Sequence, residues 1–232
     1  MKKLLSLSLF LSLTFLSCST DEDIEMEASQ SDTSAIKLKK SWSPQNTANP
    51  YDQAGILYHQ ILEQYNTNIP TNTTPSQIIF DIESIANSFS EFNSMKNNSY
   101  SSIGYNNISW ILSTEESYHT AISNNTNLST TAKEQLETMT STLKQMIDTQ
   151  ATSKNIHDYI ISFEANISSS LILTAIEKKT ILTSSSIARH ANYQRKKGRR
   201  WDIHHGMTGS IYGDNENMAK AVTTAASISA IG

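Results

Sequence analysis

The 232-residue chain carries 18 Lys and Arg against 22 Asp and Glu, a formal charge of −4 at pH 7, with 17% charged and 38% hydrophobic residues. Such a chain lacks the basic surface that general nucleic-acid binding draws on, so nucleic acid is excluded as a partner. A single cysteine excludes a disulfide framework, and seven glycines and four prolines leave long stretches free of helix breakers.

The N-terminus has the layout of a secretory signal: Met1-Lys2-Lys3, an apolar run over residues 4–16, then Ser17-Cys18. The run is too short for a permanent membrane-spanning helix, which needs roughly 20 residues. Ser17-Cys18 directly after it resembles the lipobox of bacterial lipoproteins, although Phe15 and Leu16 depart from the usual residues. That resemblance implies removal of residues 1–17, acylation of the Cys18 thiol and attachment to a membrane without spanning it. Each buried acyl methylene contributes about 0.8 kcal/mol, so several chains hold firmly. Thr20-Asp21-Glu22-Asp23 resembles the surface-export signal of Bacteroidota lipoproteins, and is equally the composition of a solvated linker. Residues 18–48 therefore read as the lipidated cysteine and a disordered acidic stalk. The expected address is the outer membrane, at the cell surface or facing the periplasm.

Asn49-Pro50-Tyr51-Asp52 opens the first periodic segment, with proline suited to a first helical turn. Ile56, Leu57, Ile61, Leu62 and Tyr65 then recur at helical spacing. After a Thr/Asn-rich loop over 70–75, a second helix is predicted from Ser76. Ile78, Ile79, Ile82, Ile85, Ala86, Phe89, Phe92 and Met95 trace its one face. Residues 97–107 are polar, contain Gly104 and read as a loop; Trp110, Ile111, Tyr118 and Ile122 suggest a short third helix. A fourth helix begins near Thr131, with Glu134 completing a capping box. Its stripe is Leu136, Met139, Leu143, Met146 and Ile147, and the fifth helix carries Ile156, Tyr159, Ile160, Phe163 and Ile167. The sixth opens on a second capping box, Thr174 with Glu177, and carries Ile176, Ile181, Leu182, Ile187, Ala188 and Ala191. Residues 198–232 read as a Gly-containing loop and then a small-residue helix from Met218. No stretch alternates with period two for long. The expected fold is all-α, an irregular bundle of about six helices, with a helical domain over 49–197.

Three motifs stand out: Asn49-Pro50-Tyr51-Asp52-x-x-Gly55 followed by Ile56-Leu57 and His59; the helix over 173–193 with Ser185-Ser186-Ile187-Ala188 and Asn192-Tyr193; and Trp201-Asp202 leading into spaced glycines. Together they resemble an uncharacterised family of Bacteroidota (Flavobacterium-type) surface lipoproteins over most of residues 49–232. This chain departs from the family pattern at Tyr58-His59-Gln60, in place of a His-Asn pair, and at Gln194, in place of an aromatic. The resemblance implies a helical fold and a surface location, and assigns no chemistry.

Asp202, His204 and His205 form the densest cluster of candidate metal ligands, with His190 as a fourth. Adjacent histidines point apart on a helix or strand, so both ligate one ion only from a loop, which Gly206 and Gly209 would supply. The bland alternative is polar histidines that pack or face solvent. The basic run Arg195, Lys196, Lys197, Arg199 and Arg200 could meet anionic headgroups or glycans, or simply complement a helix C-terminus. Gly209-x-x-x-Gly213 and the stripe Ala221, Ala225 and Ser229 permit close helix contact, in the chain's own core or in a membrane. No HExxH, GxSxG, Walker A loop or dinucleotide fingerprint occurs, so no cofactor is implied. The leading expectation is a non-enzymatic module that binds a protein or glycan partner. A metal-dependent enzyme using Asp202, His204 and His205, and a membrane-active protein working through the C-terminal helix, are the alternatives.

Overall fold

Breaker-poor stretches with 3.6-residue periodicity fold here as helices throughout. A computed structural model describes residues 42–67, 74–98, 100–114, 117–196, 203–214 and 217–232. Among them are ten helices and no strand: α1 (Gln53–Thr67), α2 (Pro75–Asn87), α3 (Ser90–Met95), α4 (Tyr105–Ser113), α5 (Ser117–Asn124), α6 (Thr130–Asp148), α7 (Ser153–Ser169), α8 (Ala175–Lys196), α9 (Ile203–Asp214) and α10 (Met218–Ile231). The signal segment, Cys18, the stalk as far as residue 41, and Lys197, Arg199, Arg200, Trp201 and Asp202 lie outside the described residues.

The all-α class holds; the count of about six helices does not. Polar side chains that take backbone groups from the helix ladder split two of the expected helices. The apolar face over 78–95 is interrupted at Ser88, whose hydroxyl donates to the Ile85 carbonyl. Across the break, the Asn93 amide donates to the carbonyls of Asn87 and Phe89. The expected third helix ends at Ser113 and resumes at Ser117, whose hydroxyl reaches back to the Ile111 carbonyl. The third change is a gain: residues 203–214, read as a Gly-containing loop, are helical in α9.

Caps fix the helix starts. Thr74, Ser129, Thr152 and Asn217 each accept a backbone N–H from the first turn of α2, α6, α7 and α10. The α6 cap is thus Ser129, not Thr131. The Thr174–Glu177 box is as expected: Thr174 N donates to Glu177 Oε2 at 2.7 Å and Glu177 N to Thr174 Oγ1 at 3.3 Å. Ile176, assigned to the core, is 61% exposed, because it sits on the outward side of the first turn of α8.

Residues 41–232 form one compact unit. Its centre is built from α8 and α10, which neighbours cover on nearly every side. α8 packs against α1, α7 and α9, and α10 against α1, α2 and α9. Every residue from 219 to 228 is buried. Ala, Ser and Thr dominate α10, and their small side chains let neighbouring backbones approach. Among the described residues no helix is long and apolar enough to cross a membrane.

Candidate functional site

Among the described residues, the densest group of ionisable side chains is inside the domain, where the entry to α1 meets α7 and α8. Periodicity puts it there. On α8, Ser185 and Ser186 fall four and three residues before Arg189, so both share a face with it. On α7, Glu164 occupies a stripe position, four residues after Ile160 and three before Ile167. Asp52 sits in the turn that Asn49 shapes by accepting the Tyr51 N–H at 2.9 Å.

Arg189 is 0% exposed, and its guanidinium is gripped by two carboxylates. Nη2 donates to Asp52 Oδ1 at 2.5 Å and to Glu164 Oε1 at 3.2 Å, and Nε to Glu164 Oε2 at 3.2 Å. Neutral donors occupy the remaining lone pairs. Glu164 accepts from Asn46 at 2.6 Å, and from Asn49 and Ser185 each at 2.9 Å. Asp52 accepts from the Asn46 N–H and the Ser186 hydroxyl, each at 2.9 Å. Two carboxylates against one guanidinium leave the cluster one negative charge in formal terms.

His190 stands beside this cluster, with Nε2 3.8 Å from Asp52 Oδ1, beyond hydrogen-bonding distance. Burial pushes its pKa down and outweighs the pull of Asp52, so the ring is neutral near pH 7. For Asp52, burial acts to raise the pKa, but the Arg189 guanidinium and the Asn46 N–H overcome it and hold the carboxyl far below the usual range. Gly55 closes the packing. A Cβ there would lie 2.4 Å from Ser186 Oγ and 2.5 Å from the His190 ring.

From His190 an aromatic and imidazole series leads outward. His190 and His59 ring centroids are 6.0 Å apart, His59 and Tyr193 6.4 Å, Tyr193 and Trp42 5.2 Å, and Trp42 and His157 4.5 Å. The Gln194 amide donates to the His59 ring. His59, His157, Tyr193 and Trp42 are all half-buried, so the rim keeps one side toward solvent.

Of the expected metal ligands, Asp202 lies outside the described residues and the paired histidines are elsewhere. His204 and His205 occupy the first turn of α9, with ring centroids 6.1 Å apart, and the His204 ring stands edge-on to Tyr118 at 4.7 Å. The loop that would turn both toward one ion is a helix. His190, the expected fourth ligand, belongs with Asp52 and His59. Among the described residues no group of three or more His, Cys, Asp or Glu is placed to hold a metal ion. Arg195 is half-buried in the last turn of α8, which also includes Lys196.

Glu164 and Arg189 were not singled out by sequence. The signal was a charge at a stripe position: Glu164 between Ile160 and Ile167, and Arg189 between Ile187-Ala188 and Ala191. Chemically the cluster is a clamp. The Ser185 and Ser186 hydroxyls donate to carboxylates that Arg189 holds in turn. No family model, curated protein or solved structure matches this chain.

Proposed function

We propose that this chain is a lipid-anchored, non-enzymatic binding module of the bacterial cell envelope, attached through Cys18 and displaying its helical domain to a protein or glycan partner. The observation that carries the non-enzymatic part is the pairing of the Asp52 and Glu164 carboxylates with the buried Arg189 guanidinium. The Asp52 and Glu164 carboxylates and the Ser185 and Ser186 hydroxyls are tied to one another, to Arg189 and to Asn46 and Asn49. The half-buried rim of Trp42, Tyr193, His59 and His157 offers flat faces with polar edges, as binding surfaces do. The apolar run ending at Ser17-Cys18 supports the anchor, and the acidic residues 21–23 support surface display.

Intact-mass measurement of the chain extracted from bacterial membranes tests the anchor. The expected species begins at Cys18 and carries acyl chains, and Cys18→Ser moves the protein to the soluble fraction. A chain that begins elsewhere, or an unmodified Cys18, would overturn it. Elemental analysis tests the other half. Near-stoichiometric metal lost in the His204→Ala/His205→Ala variant would replace this reading with a metal enzyme using Asp202, His204 and His205.

A further inference from the structure

The turn from α7 into α8 presents apolar side chains to water at one end of the domain. Leu171 is 100% exposed, Ile172 76% and Ile176 61%, while Leu173 between them is buried and pins the turn to the core. The turn is held firmly from both sides. Ser170 caps α7 through its N–H to the Ile167 carbonyl, and the Thr174–Glu177 box starts α8. Glu177 Oε1 also accepts the Ser129 N–H at 2.8 Å, tying the first turn of α6 to the same end. A well-ordered structure that leaves two adjacent large aliphatics almost wholly in water marks an interaction site.

We infer that this turn inserts into the interface of a phospholipid bilayer, Leu171 and Ile172 entering the acyl boundary and Ile176 following. Size decides against a protein partner or a second copy. A standard protein interface takes roughly 20–30 residues a side, far more than three side chains at a turn. Lipid insertion works per side chain, and a short apolar tip is enough for it. α6 and α8 start at this end and α7 ends there, so helix termini of both signs meet at the turn. Lys178 donates to the Ser168 carbonyl at 2.9 Å, which places its ammonium group beside the apolar tip, at headgroup depth. The Glu177 carboxylate accepts from both caps and offsets the positive termini of α6 and α8, which leaves Lys178 as the cation beside the tip. The inference does not need the Cys18 anchor.

Sedimentation with vesicles of zwitterionic lipid, with and without a third of anionic phospholipid, tests it. The domain from Ser41 serves, since residues 41–232 form one compact unit with its own core. The parent domain is expected to bind, more tightly to the anionic vesicles. Leu171→Asp/Ile172→Asp, at positions that contribute nothing to the core, should retain the parent's helical circular dichroism and weaken partition at least about tenfold. Leu171→Trp should bind as well or better, and brominated acyl chains should quench its added emission. Absence of vesicle binding by the parent overturns the inference. So does equal binding by the double-Asp variant, lack of quenching at position 171, or a dimer that the double-Asp variant dissolves.

Discussion

Arg189 concentrates the energetics of this domain in one side chain. A guanidinium with no exposure is costly to desolvate, and only its carboxylate partners offset that cost. Removing one member therefore does more than delete a contact. Arg189→Met would leave Asp52 and Glu164 facing each other without a cation, and should destabilise the domain by about 3–5 kcal/mol. Asp52→Asn placed on top of Arg189→Met removes one of the orphaned charges and should recover part of the loss. Additive losses in thermal melts of the single and double variants would show that the cluster is not coupled. The cluster was half visible in the sequence. Asp52 stood in a motif, and Gly55, Ser185 and Ser186 in others, but nothing said these segments meet. Their meeting depends on the angle at which α1 crosses α8, which periodicity does not encode. Arg189 and Glu164 were read past because a stripe is recognised by its apolar members, and a buried ion pair breaks that pattern by design of the fold.

At the scale of elements, α9 and α10 are fitted backbone to backbone. Gly213 lies against Ala221 and Gly209 against Ala225, while a Cβ at Gly206 would make ordinary contact, 3.6 Å from Ser229 Oγ. The pairs run antiparallel, and they are the glycines and small residues whose spacing already implied close helix contact. That spacing was legible because small residues every four positions have a geometric meaning. The helical state of residues 203–214 was not, since three glycines in twelve residues read as a loop until a partner surface is known to require them. The two inner glycines differ in what a methyl would strike. At Gly213 a Cβ would sit 2.6 Å from the Lys220 carbonyl oxygen and 2.7 Å from the Ala221 backbone, which cannot move aside. At Gly209 the closest atom, at 2.5 Å, is Cδ1 of Ile228, the free end of a side chain. Gly213→Ala is expected to cost about 2–3 kcal/mol. Gly209→Ala should fall near zero, because a helix gains about 0.5–1 kcal/mol when alanine replaces glycine. Equal losses in urea denaturation would refute the backbone-contact account.

For the whole molecule, buried titratable groups set opposing trends with pH. Asp214, at the end of α9, is pushed up to about 6 by burial, against the smaller downward pulls of Thr180 and Lys179 on α8. In the unfolded chain it titrates near 3.8, so the folded state favours its protonated form. Its contribution is complete below about pH 4 and is lost as pH rises toward 6, by about 2–3 kcal/mol at the usual 1.36 kcal/mol per pH unit. His190 and Asp52 act in the other direction. The depressed His190 pKa gives stability present above about pH 6.5 and lost as the ring is forced to protonate below it. The depressed Asp52 pKa gives stability present above about pH 4 and lost under stronger acid. A parent melt mixes all three, so the signature has to be read from a difference. Asn at position 214 cannot ionise, and the Asp214→Asn variant should gain on the parent as pH rises from 4 to 7. The melting-temperature difference between them should shift by about 5–10 °C across that range, the variant favoured at pH 7. The whole shift should fall between about pH 4 and 6, the interval between the unfolded and folded ionisations of Asp214, because the His190 and Asp52 trends are common to both proteins and cancel in the difference. A difference that stays flat from pH 4 to 7 would mean that water or Lys179 reaches the Asp214 carboxyl well enough to keep it charged in the fold.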